Sequence, residues 1–536
     1  MRRLALLSVA ATLLFGALAF PNHPHTLTFS AFTEFPLELP VLLGFMLAVG
    51  YQKGSRRLLP PLAAAVLLVA VFIKLADIAM FLAYDRTFNP LLDAFLIGAG
   101  TNLLRDSIGT FGVVLAWMGG ILGLIGLFLA LWWALRQSAR ATINTLVRIT
   151  AGAIALTFAA LTVADAGDNL DWWELPQDIP GTSITTSLVM KRGIDVAATA
   201  AELTTFAAQA AHDPYDDAHG LFDIVGDRDV LIIFIESYGR TSVDNPLYAP
   251  THLPTLRSAE TAIADAGLAM RSGWLSSPTA GGQSWLAHGA VFSGLWTTDQ
   301  GRYAAMLTSG RRTLFHLAAE AGFRTAAVMP AITIAWPESS LMGFETVLES
   351  ADMAYDGTDF GWVTMPDQYT LATFPDLLGP DPRRDFVQIA LISSHAPWTP
   401  VPQMVAWDTA ADGAIYDEMA TAGPAPGVVW KTHDTVRDFY RRSIDYALRA
   451  ATGFAARQGQ NAPLILILGD HPPAGFVSQI DGTDVPAHLI GPADLLARID
   501  GWGWSTGMIP AAGVPSIRMD GFRDRFIAAF SSQEEQ

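Results

Sequence analysis

LILILGDHPP, residues 464–473, decides how the second half of this chain is read. Its unbroken aliphatic run makes a strand that is apolar on both faces, which suits the interior of a sheet covered by helices on either side. The run stops at Gly469 and delivers an acid and an imidazole, Asp470 and His471, to the strand's carboxyl end, where open α/β sheets place their ligands. Two upstream stretches are built alike: DVLIIFI at 229–235 leads to Glu236, and QIALIS at 388–393 leads to Ser394 and His395. A further strand-like run at 323–329 and helical patterns at 252–267 and 434–457 alternate with these. The alternation predicts an α/β domain over 221–536, a mostly parallel sheet sandwiched by helices. No internal repeat suggests an array.

Carboxylates and imidazoles at separate strand ends converge in space although far apart in sequence, and that is how an all-protein oxygen and nitrogen metal site is assembled. The chain contains no cysteine, so disulfides and thiolate ligands are excluded. The remaining donor types suit a divalent metal, Zn²⁺ or Mn²⁺, better than Ca²⁺.

Outward from that domain, the composition of the 536 residues, 51% hydrophobic and 16% charged, places part of the chain in lipid. Apolar windows at 4–20, 36–52, 58–84, 109–135 and 147–166 are each near the length that crosses a bilayer, so 1–166 reads as a five-helix transmembrane bundle. Arg2 and Arg3, then Lys53, Arg56 and Arg57, then Arg136, Arg140 and Arg148 lie on one side of these crossings and mark it as cytoplasmic. Five crossings put the following domain outside the cytoplasm. The first segment, ending GALAF, also reads as a signal peptide, whose removal leaves the orientation unchanged. Residues 167–220 form an interfacial linker, with Asp171-Trp172-Trp173-Glu174 as an aromatic anchor and Ala-rich helix over 184–212 that suits the membrane surface. Lys74 and Asp77, three residues apart within the third window, are expected to neutralise each other near the outer interface rather than to meet a lipid headgroup. A net charge of −18 argues against nucleic acid as a partner.

The stretch APTHLPTLRSAETAIADAGLAMRSGWLSSPTAGGQSWLAHGAVFSGL (249–295) resembles the sulfatase and alkaline phosphatase superfamily, in which a Pro-x-Leu helix leads to a strand and then to the nucleophile loop. TLFHLAAEAGFRTAAV (313–328), SSHAPWTP (393–400) and GDHPPAG (469–475) continue the resemblance in order. It implies an alkaline phosphatase-like fold, Glu236, Asp470 and His471 as metal ligands, Ser284 as nucleophile and metal ligand, and His395 as a contact for the phosphoryl oxygens or the leaving group. Joined to membrane helices, the domain is similar to lipoteichoic acid synthases and lipid A phosphoethanolamine transferases. That similarity implies a multi-pass inner-membrane enzyme with a periplasmic domain. It would move a phosphorylated headgroup from a phospholipid donor to an envelope glycan or lipid acceptor.

Several positions depart from these families. Ser284 is followed by Trp285-Leu286-Ala287-His288, not by the sulfatase signature that directs conversion to formylglycine. In the headgroup transferases the nucleophile is usually threonine, which keeps Thr279 as an alternative to Ser284. The Trp-x-Arg substrate contact of lipoteichoic acid synthases is missing, and Trp336 and Glu338 are expected to serve packing or loop structure. His288 is expected to be a buried, hydrogen-bonded histidine, with proton transfer by it or by His395 also considered. Rival readings are a sulfatase or soluble-substrate phosphodiesterase on this scaffold, and a non-catalytic membrane sensor.

Overall fold

A computed structural model of the protein describes residues 2–50, 55–84, 86–141, 144–216, 218–333, 336–361, 364–459 and 461–532. Lys53, used above to orient the chain, lies outside them, as does the end of the second apolar window. The chain divides into two compact units, Met1–Glu202 and Leu203–Gln536.

In the first unit each apolar window forms a helix: α1 (Arg2–Ala19), α2 (Glu38–Val49), α3 (Leu59–Tyr84), α4 (Leu96–Ala139) and α5 (Thr145–Asn169). Among the described residues, three stretches are long and apolar enough to cross a membrane: Leu59–Leu82, Ile108–Ala139 and Thr145–Asn169. The other two of the five expected spans, in α1 and α2, are shorter. Helix α2 has 12 residues and stops at Gly50, whose φ of +68° ends the helical path, so it rises only about 18 Å. Gly109, with φ of +72°, interrupts α4 where the apolar window begins.

Lys74 and Asp77 do not neutralise each other, contrary to expectation. Lys74 Nζ donates to the Leu18 carbonyl at 2.7 Å and to Thr185 Oγ1 at 2.8 Å. Asp77 instead accepts from Arg192, whose Nη2 lies 2.9 Å from both carboxylate oxygens, from the Phe88 N–H at 2.9 Å and from Asn22 at 3.1 Å. Thr185 and Arg192 belong to α6 (Ile184–Ala210). That helix is therefore fastened to α3 by buried polar groups rather than lying free. Polar groups kept from water need such partners, and the three-residue spacing cannot tell which element supplies them. Trp173 Nε1 donates to the Ala164 carbonyl at 2.9 Å, and both Trp172 and Trp173 stay exposed.

Among the described residues, the second unit is built on one sheet of nine strands: β1 (Val230–Ile235), β2 (Ala269–Ser276), β3 (Arg324–Met329), β4 (Thr346–Glu349), β5 (Asp385–Leu391), β6 (Leu464–Gly469), β7 (Asp484–Gly491), β8 (Ser505–Thr506) and β9 (Ser516–Arg518). Their order is β4-β3-β5-β1-β6-β7-β2-β8, with β9 on β2. The sheet is mixed: β4-β3, β3-β5, β5-β1, β1-β6 and β2-β9 pair in parallel, the majority expected from the sequence, whereas β6-β7, β7-β2 and β2-β8 are antiparallel. The strands of the antiparallel side hide their identity in buried polar residues. Ser272 of β2 pairs in register with His488 of β7, and its hydroxyl lies 2.8 Å from Nδ1 of that ring, with Tyr238 OH 3.2 Å from Nε2.

Alternation along β1 and β6 sorts their side chains between two cores. Ile232, Phe234, Leu466 and Leu468 face one, with Leu286 and Phe292 of the helix Ser284–Ser293. Leu231, Ile233, Ile465 and Ile467 face the other, with Leu256 of Ala249–Asp265 and Ile444 of His433–Ala456. Each such buried side chain contributes about 1.5–3 kcal/mol, so the continuous apolar runs anchor the sheet centre between helical layers.

Candidate metal centre and nucleophile

Strand β1 lies between β5 and β6, and Ile235 is in register with Leu391 on one side and Gly469 on the other. Glu236 and Asp470-His471 therefore leave the same edge of the sheet side by side. Backbone packing at that edge is tight. A Cβ on Gly469 would stand 2.0 Å from the Tyr238 carbonyl oxygen, and one on Gly239 would stand 2.7 Å from Pro472 Cα. Asp470 Oδ1 accepts from the backbone N–H of Ser237 at 2.8 Å and of His471 at 2.6 Å, tying the two strand ends together. From the β5 side, Ser394 Oγ donates to the Glu236 carbonyl at 2.6 Å. Ser394 thus holds the Glu236 backbone.

Ser284 reaches the edge by a different route. It is the first residue of its helix, preceded by Gly281, Gly282 and Gln283, all with positive φ. The Gly281 N–H donates to the Pro472 carbonyl at 2.9 Å, pinning this loop to the GDHPP turn. The helix N-terminus carries partial positive charge beside the Ser284 side chain, an arrangement that favours anions.

Glu236, Asp470 and His471 are buried and present ligand atoms within 4.8 Å of one another, a group that could hold a metal ion. Ser284 Oγ joins them, donating to Glu236 Oε2 at 2.9 Å and lying 3.3 Å from His471 Nε2. His471 Nδ1 sits 2.9 Å from the Pro472 carbonyl. A carbonyl only accepts, so the Nδ1 proton is fixed there and Nε2 turns toward Glu236, 3.3 Å away; a ligating histidine is oriented in this way.

The electrostatics call for a cation at this point. Burial and the neighbouring charge of Glu236 both push the Asp470 carboxyl up. Burial alone would raise Glu236 as well, but the charge and hydrogen bond of His471 hold it well below the ordinary range. Burial opposes charge on His471, yet the two carboxylates raise it. The acids favour positive charge at Nε2, the position that a divalent ion would take. The donor set fits the expected group.

A cavity of about 410 Å³ opens beside the cluster, and Glu236, Ser284, His395 and Asp470 all line it. The structure thus brings together every site residue expected from the sequence, with His395 on the cavity wall. Thr279 is not among them: its hydroxyl donates to the Gly282 carbonyl at 2.8 Å and stabilises the loop. Trp336 and Glu338, expected to serve packing or loop structure, also line the cavity. His288 is buried as expected and lines it too, and desolvation lowers its pKa to about 3. Sequence reasoning missed Gln388, a cavity residue in the middle of β5. Its signal was an amide interrupting the apolar run FVQIAL.

Fold and site define a class: proteins joining membrane-type helices to an α/β domain in which the first serine of a helix meets a buried carboxylate and imidazole cluster. No family model matches the chain, and no curated protein does. Among solved structures it is similar to the integral membrane lipooligosaccharide phosphoethanolamine transferase A of Neisseria meningitidis, at 12% identity, with 98% of this chain and 96% of that chain covered and a TM-score of 0.47. It is similar to the Streptococcus pyogenes phosphoglycerol transferase in complex with sn-glycerol-1-phosphate, at 14% identity, 62% and 81% coverage and a TM-score of 0.37. A third likeness is to an alkaline phosphatase superfamily protein of Vibrio parahaemolyticus, at 14% identity, 62% and 75% coverage and a TM-score of 0.38.

Proposed function

We propose that the protein is a metal-dependent transferase that moves phosphoglycerol or phosphoethanolamine from a phospholipid to a cell-envelope glycan or lipid through a phosphoseryl intermediate at Ser284. The observation that carries this reading is the Ser284 hydroxyl, 2.9 Å from Glu236 and 3.3 Å from His471 at the mouth of a cavity. Such a cluster has no role in a domain that only binds.

Glu236, Asp470 and His471 would hold a divalent ion, Zn²⁺ or Mn²⁺, which supplies the positive charge that makes a serine hydroxyl nucleophilic at neutral pH. Ser284 Oγ attacks phosphorus and gives its proton to water, so that no strong side-chain base is required. The bond from phosphorus to the glycerol oxygen of the lipid breaks, diacylglycerol departs, and His395 protonates that oxygen. In the second half-reaction an acceptor hydroxyl attacks the phosphoserine while His395 takes its proton, and Ser284 is released protonated. Backbone N–H groups at the start of the Ser284 helix neutralise charge growing on the phosphoryl oxygens.

This reading includes five membrane crossings over 1–166, a linker at 167–220 and a periplasmic domain over 221–536. A covalent tether to the bilayer raises the local concentration of lipid headgroups. The test is release of diacylglycerol from labelled phosphatidylglycerol and phosphatidylethanolamine by the detergent-solubilised chain, with Zn²⁺, Mn²⁺ or chelator, beside Ser284→Ala. Metal-dependent release absent from the variant supports the reading. No release from either lipid with metal bound sinks it and points to sulfate esters or soluble phosphodiesters.

A further inference from the structure

His288 lies one helical turn beyond Ser284, on the same helix and the same face. Its ring packs on Phe234 with centroids 4.0 Å apart, and its Nδ1 is 3.0 Å from Gln388 Nε2. The same amide nitrogen is 3.6 Å from Met329 Sδ. A thioether only accepts, so the amide nitrogen belongs on the side of His288 and Met329, and the amide oxygen points away. His288 Nδ1 is then an acceptor and the ring proton sits on Nε2. Both outward atoms, His288 Nε2 and Gln388 Oε1, are buried without a protein partner. Both residues line the cavity, with 7% and 1% of their surface exposed. Among the described lining residues none is Lys or Arg, and the acids are Glu236, Glu338 and Asp470. Apart from the His395 imidazole, no described side chain that can carry positive charge near neutral pH is available to orient a ligand beside His288 and Gln388.

We propose that His288 and Gln388 form an uncharged donor and acceptor pair that reads the headgroup of the bound lipid. His288 Nε2–H donates to a phosphoryl oxygen, and Gln388 Oε1 accepts from an O–H or N–H on the headgroup. The inference rests on the transferase reading and deepens it. Hydroxylated and primary or partly methylated amine headgroups satisfy both atoms, whereas a quaternary ammonium or a plain alkyl headgroup leaves Gln388 Oε1 buried and unpaired. A site built to pair with an O–H or N–H rejects the analogue that lacks it.

The test compares diacylglycerol release by the metal-loaded, detergent-solubilised chain from phosphatidylethanolamine and its mono-, di- and trimethylated forms, and from phosphatidylglycerol and phosphatidylpropanol. The expected result is a fall in kcat/KM of at least tenfold at the third methyl, where the last N–H is lost, or on exchange of glycerol for propanol. In Gln388→Met the same ratios approach one at equal metal content. A gradual decline with each methyl, which reports size, overturns the proposal, as does discrimination that survives in Gln388→Met. If the wild-type chain releases nothing from any lipid, the transferase reading falls separately, and calorimetry decides the pair. O-Phosphoethanolamine should then bind at least tenfold tighter than phosphocholine, and glycerol phosphate than propyl phosphate, with both preferences lost in Gln388→Met. Equal affinities overturn the pair.

Discussion

The Ser284 hydroxyl donates to Oε2 of Glu236 over 2.9 Å, joining a helix N-terminus to the end of the central strand across 48 residues of chain. Ser284→Ala removes the attacking oxygen and leaves the three acidic and imidazole donors in place. Turnover of the lipid substrate should fall by about 10³-fold or more, while bound metal measured by plasma mass spectrometry stays unchanged. Thr279→Ala, which loses only a loop hydrogen bond, should still accumulate phosphoserine at residue 284, detectable by peptide mass spectrometry.

Removing the ion should reverse cleanly. Dialysis against chelator is expected to abolish turnover, and Zn²⁺ or Mn²⁺ should restore it. His471→Ala takes away the nitrogen that faces both Glu236 and Ser284 and should lower metal affinity by 10-fold or more, on the scale of losses seen when a metal site is disturbed. Unchanged metal content in His471→Ala would show that the ion is held elsewhere.

Gly469→Ala tests how the strand ends are packed. The new methyl would stand 2.0 Å from the Tyr238 carbonyl, which is backbone and cannot rotate aside. Strand β6 must shift, carrying Asp470 and His471 with it. The expected cost is about 1–3 kcal/mol of stability, read as a lower midpoint of thermal unfolding, together with loss of bound metal.

Asp367 provides a pH dependence remote from the cluster. Burial raises its carboxyl from 3.8 to about 6. Its Oδ1 accepts from the N–H groups of Ile392 and Ser393, each at 2.8 Å, while Oδ2 is buried without a partner. The folded chain binds this proton more tightly than the unfolded chain, so this group's contribution is full below about pH 4 and is lost as pH rises through 6. The loss amounts to roughly 2–3 kcal/mol at neutral pH. Asp367→Asn keeps the accepting oxygen and removes the charge, so its unfolding midpoint should fall less between pH 4.5 and 7 than that of the wild type. An identical pH profile would rule out Asp367 as the source.

The Arg192 and Asp77 pair should dominate the stability of the first unit. Both side chains are buried, and Arg192 Nη2 lies 2.9 Å from both Asp77 oxygens. Breaking a buried pair from one side costs up to about 3–5 kcal/mol; Asp77 would keep only the neutral donors Asn22 and the Phe88 N–H, and Arg192 only the more distant Asp195 at 3.6 Å. Arg192→Leu and Asp77→Leu are each expected to lower the unfolding midpoint in detergent, and the double variant should lose less than the sum.

Much of this arrangement was legible in order but not in space. The runs at β1, β5 and β6 announced themselves because a strand buried on both faces must be apolar throughout, and the acids and imidazoles directly after them stood out against that background. Strand β7 escaped notice and β2 was expected only from the family resemblance, because Ser272, Pro486 and His488 break their apolar pattern. Their buried polar groups are tolerable only because Ser272 and His488 satisfy each other across the sheet. Lys74 and Asp77 looked like a pair because local spacing was the only available guide.

The sequence by itself determined the membrane-type first unit, the helix-covered α/β domain, and the placing of Glu236, Asp470 and His471 at strand ends, since hydrophobic periodicity is a local property. Only the tertiary structure decided that the sheet turns antiparallel beyond β6, that Ser284 rather than Thr279 reaches Glu236, and that His288 and Gln388 present unpaired atoms to one cavity. Those outcomes depend on which distant groups satisfy one another once water is excluded, and no local pattern encodes that pairing.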